Sequence, residues 1–256
     1  MKYQVRKGCF ETNSSSMHSL IVTKNNENVR MTQEEIRAEY YLDEPWFKKR
    51  TEKNGKEIVE INTYGENHFG RSPFQILTSF SDKLLYAIAE YCGGNYGVKS
   101  YIESEKKFDE VFVPLLIKLI GCDEIEYDET NTESFDVYAD VGGEYLDEVE
   151  EVPYEKLVHR DDWKHGEPYY ESHDVDGRPI EKVYFDVPNF GSIDHQSSGL
   201  LRGFLEDNNL SLEDFLVRKD VVVVIDGDEY CEFDKFIECG LIERGSIVLR
   251  YGRGDR

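Results

Sequence analysis

A chain of 256 residues with 39% hydrophobic and 32% charged residues is long enough for one large domain or two small ones, and it is globular with a wet surface rather than disordered. Its 53 Asp and Glu against 30 Lys and Arg leave a net charge of −23, which repels phosphate backbones and anionic lipid heads. That charge argues against direct binding to a nucleic-acid backbone or to a membrane, and leaves plain solubility, a basic protein partner, or mimicry of nucleic acid by carboxylates.

In chain order, residues 2–7 alternate as a short strand, and a polar loop runs from Glu11 to Ser16. Met17 to Thr23 (MHSLIVT) gathers β-branched and apolar residues and reads as a second strand. Residues 32–42 form a helix with Thr32 as its cap and Glu35 completing a capping box. Asn54-Gly55 marks a turn before a strand over Lys56 to Thr63. Residues 79–92 place Phe80, Leu84, Leu85, Ile88 and Tyr91 on one helical stripe, stopped by Gly93-Gly94. Residues 104–120 do the same with Phe108, Val111, Phe112, Leu115, Leu116 and Leu119. Pro114 either kinks that helix or starts a new one. Residues 123–176 hold 20 Asp and Glu against 3 Lys and Arg, a net of −17, and read as an acidic surface insertion containing some strand, as at Phe135 to Tyr138.

The last third reads as a compact unit. A strand covers Lys182 to Val187, a helix Gln196 to Asn208, and a second helix is capped by Ser211 with Asp214 three residues on. Asp220 to Ile225 (DVVVVI) is wholly apolar after its first residue, hence a central strand buried on both faces. A helix over Phe233 to Cys239 ends at Gly240, and a final strand covers Ser246 to Tyr251. The expected fold is therefore α+β, a mixed sheet flanked by helices. Residues 1–122 and 177–256 share one core, and the strand at 17–23 joins the sheet of 220–225.

The five cysteines, Cys9, Cys92, Cys122, Cys231 and Cys239, lack the tight spacing of a zinc knuckle or disulfide framework and read as buried thiols in a reducing compartment. The start MKYQVRKG has no apolar signal core, and no run of 18 apolar residues occurs, so the expected location is cytoplasmic.

Two stretches gather groups able to do chemistry. In the first, Asn13, Ser14, Ser15 and Ser16 can offer hydroxyls and backbone N–H groups to one anion, with Glu11 and His18 on either side as acid or base. A flexible connection capped by its own hydroxyls explains the same composition. The second stretch, residues 190–199, ends a strand region and opens a helix. Asp194 or Ser192 can cap the helix, and Ser192, Gln196 and Ser197 can bind an anion at its free N–H groups. His195 beside Asp194 forms an acid–base pair, or is simply a satisfied histidine on a capped helix start. Taken together, the two stretches are expected to face each other across one polar pocket.

Other candidates are weaker. Gly93 to Gly97 is glycine-rich but follows a helix and lacks nucleotide-binding spacing. His159, His165 and His173 among carboxylates read as solvated surface rather than a cation site. Asp226 to Glu229 follow the buried strand and read as a strand-to-helix turn. No motif indicates a cofactor, and no metal site is assigned.

The string FETNSSSMHS at residues 10–19, preceded by Arg6, resembles the N-terminal signature of a group of uncharacterised bacteriophage and prophage proteins. The match spans about a dozen residues, with IDHQS at 193–197 as a weaker second element, and brings no established activity. The resemblance implies a phage or prophage accessory protein in the host-cell cytosol. Such a protein would bind a host protein or a phosphate-bearing small ligand and counter a host process such as antiviral defence. Two alternatives stand beside it. One is an enzyme of group transfer or hydrolysis on a nucleotide-like substrate, using the serine loop with His18 and His195. The other is an acidic nucleic-acid mimic built on residues 123–176. Whether the protein is catalytic stays open, and a symmetric homodimer is the base-rate expectation for any self-association.

Overall fold

The structure, a computed structural model, describes residues 17–42, 47–61, 68–69, 75–93, 98–127, 137–140, 157–158, 169–173, 179–185, 190–194, 197–226, 237–238, 240 and 242–252. The fold is α+β. The expected strand at 2–7 and most of the expected helix at 233–239 lie outside the described residues.

Local signals set the element ends. Thr32 Oγ1 accepts from the Glu35 N–H at 3.2 Å while the Glu35 carboxylate accepts from the Thr32 N–H at 2.8 Å, opening helix α1 (Gln33–Leu42). Gly55 turns at φ +88° between strands β2 (Phe47–Thr51) and β3 (Glu57–Ile61). Ser79 caps helix α2 (Phe80–Cys92), its side chain accepting from the Asp82 N–H at 3.0 Å. Ser211 and Asp214 form a complete capping box on helix α6 (Leu212–Val217).

Pro114 shapes the long helical run from Val98 to Gly121. The run is α-helical over α3 (Val98–Lys107) and α4 (Val113–Leu116), with π turns at Phe108–Phe112 and Ile117–Gly121. The wider turn closes just ahead of Pro114, where the Val113 N–H reaches back to the Phe108 carbonyl. A residue that cannot donate is thus absorbed without breaking the run.

The main sheet has four antiparallel strands in the order β13 (Ile247–Gly252), β1 (Met17–Thr23), β12 (Val221–Asp226), β5 (Gln75–Leu77). The apolar strand is interior, as its sequence predicts, and residues 17–23 lie beside it. Val221, Val223 and Ile225 join Leu20 and Val22 against α2, while Val222 and Val224 pack on the other face with Ile21 and Ile242. The mixed pairing lies in a second sheet, where β3 runs antiparallel to β2 and parallel to β6 (Glu124–Tyr127), while the main sheet is antiparallel. A wholly apolar strand reports burial of both faces, not the direction of its neighbours. Among the described residues, parallel pairing occurs only between β3 and β6, and between β4 (His68–Phe69) and β11 (Ser192–Ile193).

The first residues of the acidic stretch pair with β3 through β6, and Ile125 is buried. Further on, β10 (Pro179–Phe185) pairs antiparallel with β7 (Val137–Asp140), β8 (Leu157–Val158) and β9 (Tyr169–His173).

Helix α5 covers Leu200–Asp207, not Gln196 onward. Residues 197–199 form a turn, and Gly199 at φ +82° takes the cap position with no side-chain cap. Neither Ser192 nor Asp194 caps this helix. A left-handed residue at 199 cannot continue a right-handed helix from its N-terminal side.

Candidate functional site

His18 stands near the start of β1, opposite Ile225 on β12. Its parity is that of Leu20 and Val22, so its side chain enters the main core beside α2, where it is only 1% exposed. Its Nδ1 hydrogen-bonds Tyr86 Oη at 3.1 Å, and its backbone N–H donates to Ser197 Oγ at 3.2 Å. Burial pushes the imidazole down to about 4, against the pull of the Asp194 carboxylate, so it is neutral at pH 7. The structure therefore brings His18, Asp194 and Ser197 together, tying the start of β1 to the turn before α5. Ser192 lies in β11, paired in parallel with His68. Glu11, Asn13, Ser14, Ser15, Ser16, His195 and Gln196 lie outside the described residues.

Backbone contact holds this junction. Gly93, at the end of α2, sits so close to the second stretch that a Cβ there would lie 2.2 Å from the Gly191 carbonyl oxygen. The Asp194 N–H donates to the Phe69 carbonyl at 2.9 Å, and the Ser197 N–H donates to the Asp194 carbonyl at 2.8 Å. Tyr86 is fully buried, edge-on to Phe69 with centroids 5.3 Å apart, and burial holds its hydroxyl well above the ordinary tyrosine range.

One helical turn beyond Tyr86 is Glu90, 7% exposed, with no hydrogen-bond partner among the described residues on either carboxylate oxygen. The backbone N–H groups of Gly199 and Leu201, at the start of α5, approach it. They lie near enough to favour the charged form, yet outside hydrogen-bond geometry. Burial outweighs these and the Arg202 guanidinium, and pushes Glu90 up to about 7. Lys83, Tyr86 and Glu90 recur at three- and four-residue spacing, so one polar line runs along a helix that is buried on nearly every side. Lys83 ends that line on backbone, donating to the Arg218 carbonyl at 2.8 Å.

Arg202 leads from this buried line to the surface. Its guanidinium lies 4.9 Å from the centre of the Tyr91 ring. Arg202, Tyr91 and Lys107 line an open groove of about 520 Å³ with Leu205, Glu206 and Asn209, and Leu210 and Leu212 complete its apolar wall. That volume falls among small-ligand sites, roughly 300–1,000 Å³. Many cations elsewhere meet carboxylates, as in Arg30–Glu213, Arg37–Glu57, Arg50–Glu126 and Arg218–Asp220, although Lys83 ends on a backbone carbonyl. Among the described residues, Arg202 and Lys107 make no ion pair.

Sequence reasoning missed Tyr86, Glu90, Tyr91, Lys107 and Arg202 as site residues. The available signal lay in α2, where Ala87, Ala89 and Cys92 widen the apolar stripe around the helix. Small apolar residues there indicate burial, and burial turns Lys83 and Glu90 from surface charges into groups that require explanation.

Gly93 caps α2, and residues 94–97 lie outside the described residues, as do His159, His165 and residues 227–229. Among the described residues, no three His, Cys, Asp or Glu groups cluster closely enough to hold a metal ion. None of the described helices is long and apolar enough to cross a membrane. Cys92 and Cys122 are buried. No protein-family model, no curated protein and no solved structure matches the chain.

Proposed function

We propose that this protein binds a small phosphate-bearing ligand in the groove lined by Tyr91, Lys107 and Arg202. The observation that carries this reading is that two cations with no ion pair among the described residues line one groove, beside the single carboxylate of Glu206, in a chain whose net charge is −23. Carboxylates are abundant in this protein, so leaving two cations unmatched in one concave site favours an anion supplied from outside. Tyr91 and the leucine wall suit the uncharged part of such a ligand. Joined to the resemblance to phage and prophage proteins, the reading is of an accessory protein that captures a small phosphorylated molecule to counter a host process such as antiviral defence.

The small-ligand reading is favoured over a host-protein partner because the groove is concave and cationic, whereas a basic protein would seek the acidic surface. The enzymatic reading has less support, since His18 is enclosed in the core. Calorimetric titration with inorganic phosphate and with a nucleoside monophosphate tests the proposal. Arg202→Ala and Lys107→Ala should each weaken binding by about tenfold or more, the scale of one charge-assisted hydrogen bond. Unchanged affinity in both variants would refute the groove as the site. A stoichiometric host protein recovered with the purified chain would instead support the interaction reading.

A further inference from the structure

Arg202 faces two ways: its guanidinium lines the groove, and its charge acts on the buried Glu90 carboxylate. We propose that anion binding in the groove is coupled to proton uptake at Glu90, so that the site takes its ligand together with a proton. This inference rests on the groove being an anion site, as proposed above, and adds how that site is regulated.

The geometry supplies the coupling. Glu90 is enclosed, and among the described residues neither of its oxygens has a hydrogen-bond partner. What favours its charge is the Gly199 N–H, then Arg202, then the Leu201 N–H, all on the first turn of α5 or just before it. An anion on the groove side of Arg202 opposes the guanidinium's field at Glu90 and adds its own negative charge nearby. Both effects favour the neutral acid, so the carboxylate gains an O–H bond with a proton drawn from solvent as the anion arrives. By reciprocity, protonating Glu90 first leaves Arg202 freer for the ligand and tightens binding.

The other groups around Glu90 do not compete for this role near neutral pH. On α2, burial holds Tyr86 and Tyr91 above the ordinary tyrosine range, so both stay protonated. His18 on β1 reaches Tyr86, and its imidazole stays neutral until about 4. The remaining groups are Lys83 on α2, which donates to the Arg218 carbonyl, the Cys92 thiol, which burial pushes up to about 12, Glu206 on α5 and Lys107 at the end of α3, both lining the groove, and Asp194, which acts on His18.

The test uses inorganic sulfate, which does not titrate near neutrality. Calorimetry in two buffers of different ionisation enthalpy gives the protons taken up per sulfate bound. At pH near 7 the intact chain should take up a substantial fraction of one proton. Affinity should fall by up to about tenfold between roughly pH 6 and pH 8 if the bound anion shifts Glu90 by one pH unit. Glu90→Gln, which mimics the neutral acid, should bind sulfate without proton uptake and with affinity nearly independent of pH. Sulfate binding with no proton uptake by the intact chain overturns the coupling and leaves the groove reading standing. Proton uptake that persists in Glu90→Gln assigns the proton to another group and also overturns it. No sulfate binding at all overturns both readings.

Discussion

Replacing Glu90 with Gln should expose two opposing pH dependences that nearly cancel in the intact protein. Glu90 has an ordinary value of 4.5 and is raised to about 7 on folding. At about 1.4 kcal/mol per pH unit, the cost of ionising it in place is roughly 3 kcal/mol, absent below 4.5 and complete above about 7. Its contribution to stability is thus lost as pH rises. His18 has an ordinary value of 6.5 and is lowered to about 4. Its contribution, also roughly 3 kcal/mol, is complete above 6.5 and is lost as pH falls toward 4. Between those limits, acidification relieves Glu90 while it penalises His18. The depressed carboxylates Glu57, Asp214 and Asp220 also lose stability as pH falls, but they are present in both proteins and cancel in the comparison. Urea unfolding of the two proteins at several pH values gives the difference. Glu90→Gln should gain stability relative to the parent as pH rises from about 4.5 to about 8, by roughly 3 kcal/mol in all. A constant offset from the buried amide's unpaired groups, about 1–3 kcal/mol, does not alter that change with pH. A difference that stays flat with pH would mean that Glu90 titrates as an ordinary carboxyl, and the account of a buried unpaired acid would be wrong.

Gly93→Ala should destabilise the fold by about 1–3 kcal/mol, because its Cβ would overlap the Gly191 and Ala89 carbonyl oxygens at 2.2 and 2.5 Å. The native φ of −89° suits alanine, so a thermal melt unchanged by the substitution would remove the close approach of α2 to the second stretch. Tyr86→Phe should cost about 1–2 kcal/mol in urea unfolding by taking the hydroxyl from His18 Nδ1, and an unaltered midpoint would show that this bond does not hold the junction.

The elements that could be read from sequence are those whose cause is local. The Thr32–Glu35 and Ser211–Asp214 boxes, the Asn54-Gly55 turn and the interior position of the apolar strand all follow from residues a few positions apart. Helix α5 starts four residues later than its periodicity suggests, because one left-handed glycine decides the boundary. Of the two unusual stretches, the structure brings His18, Asp194 and Ser197 together, but among the described residues none of the predicted site residues lines the groove of Tyr91, Lys107 and Arg202. What local pattern cannot give is enclosure. His18 and Glu90 differ from surface residues only through what β1, β12 and α5 pack over them, and Arg202 meets Tyr91 across a sequence separation that no periodicity spans.

Nuclear magnetic resonance of the isotope-labelled protein titrated with inorganic phosphate tests the central claim most directly. Saturable shifts are expected at the Arg202 side-chain N–H groups and at the backbone amides of Tyr91, Lys107 and Asn209, with smaller changes across the sheet. Shifts that leave those four positions still, or that concentrate instead at the start of β1 and at Ser197, would contradict it.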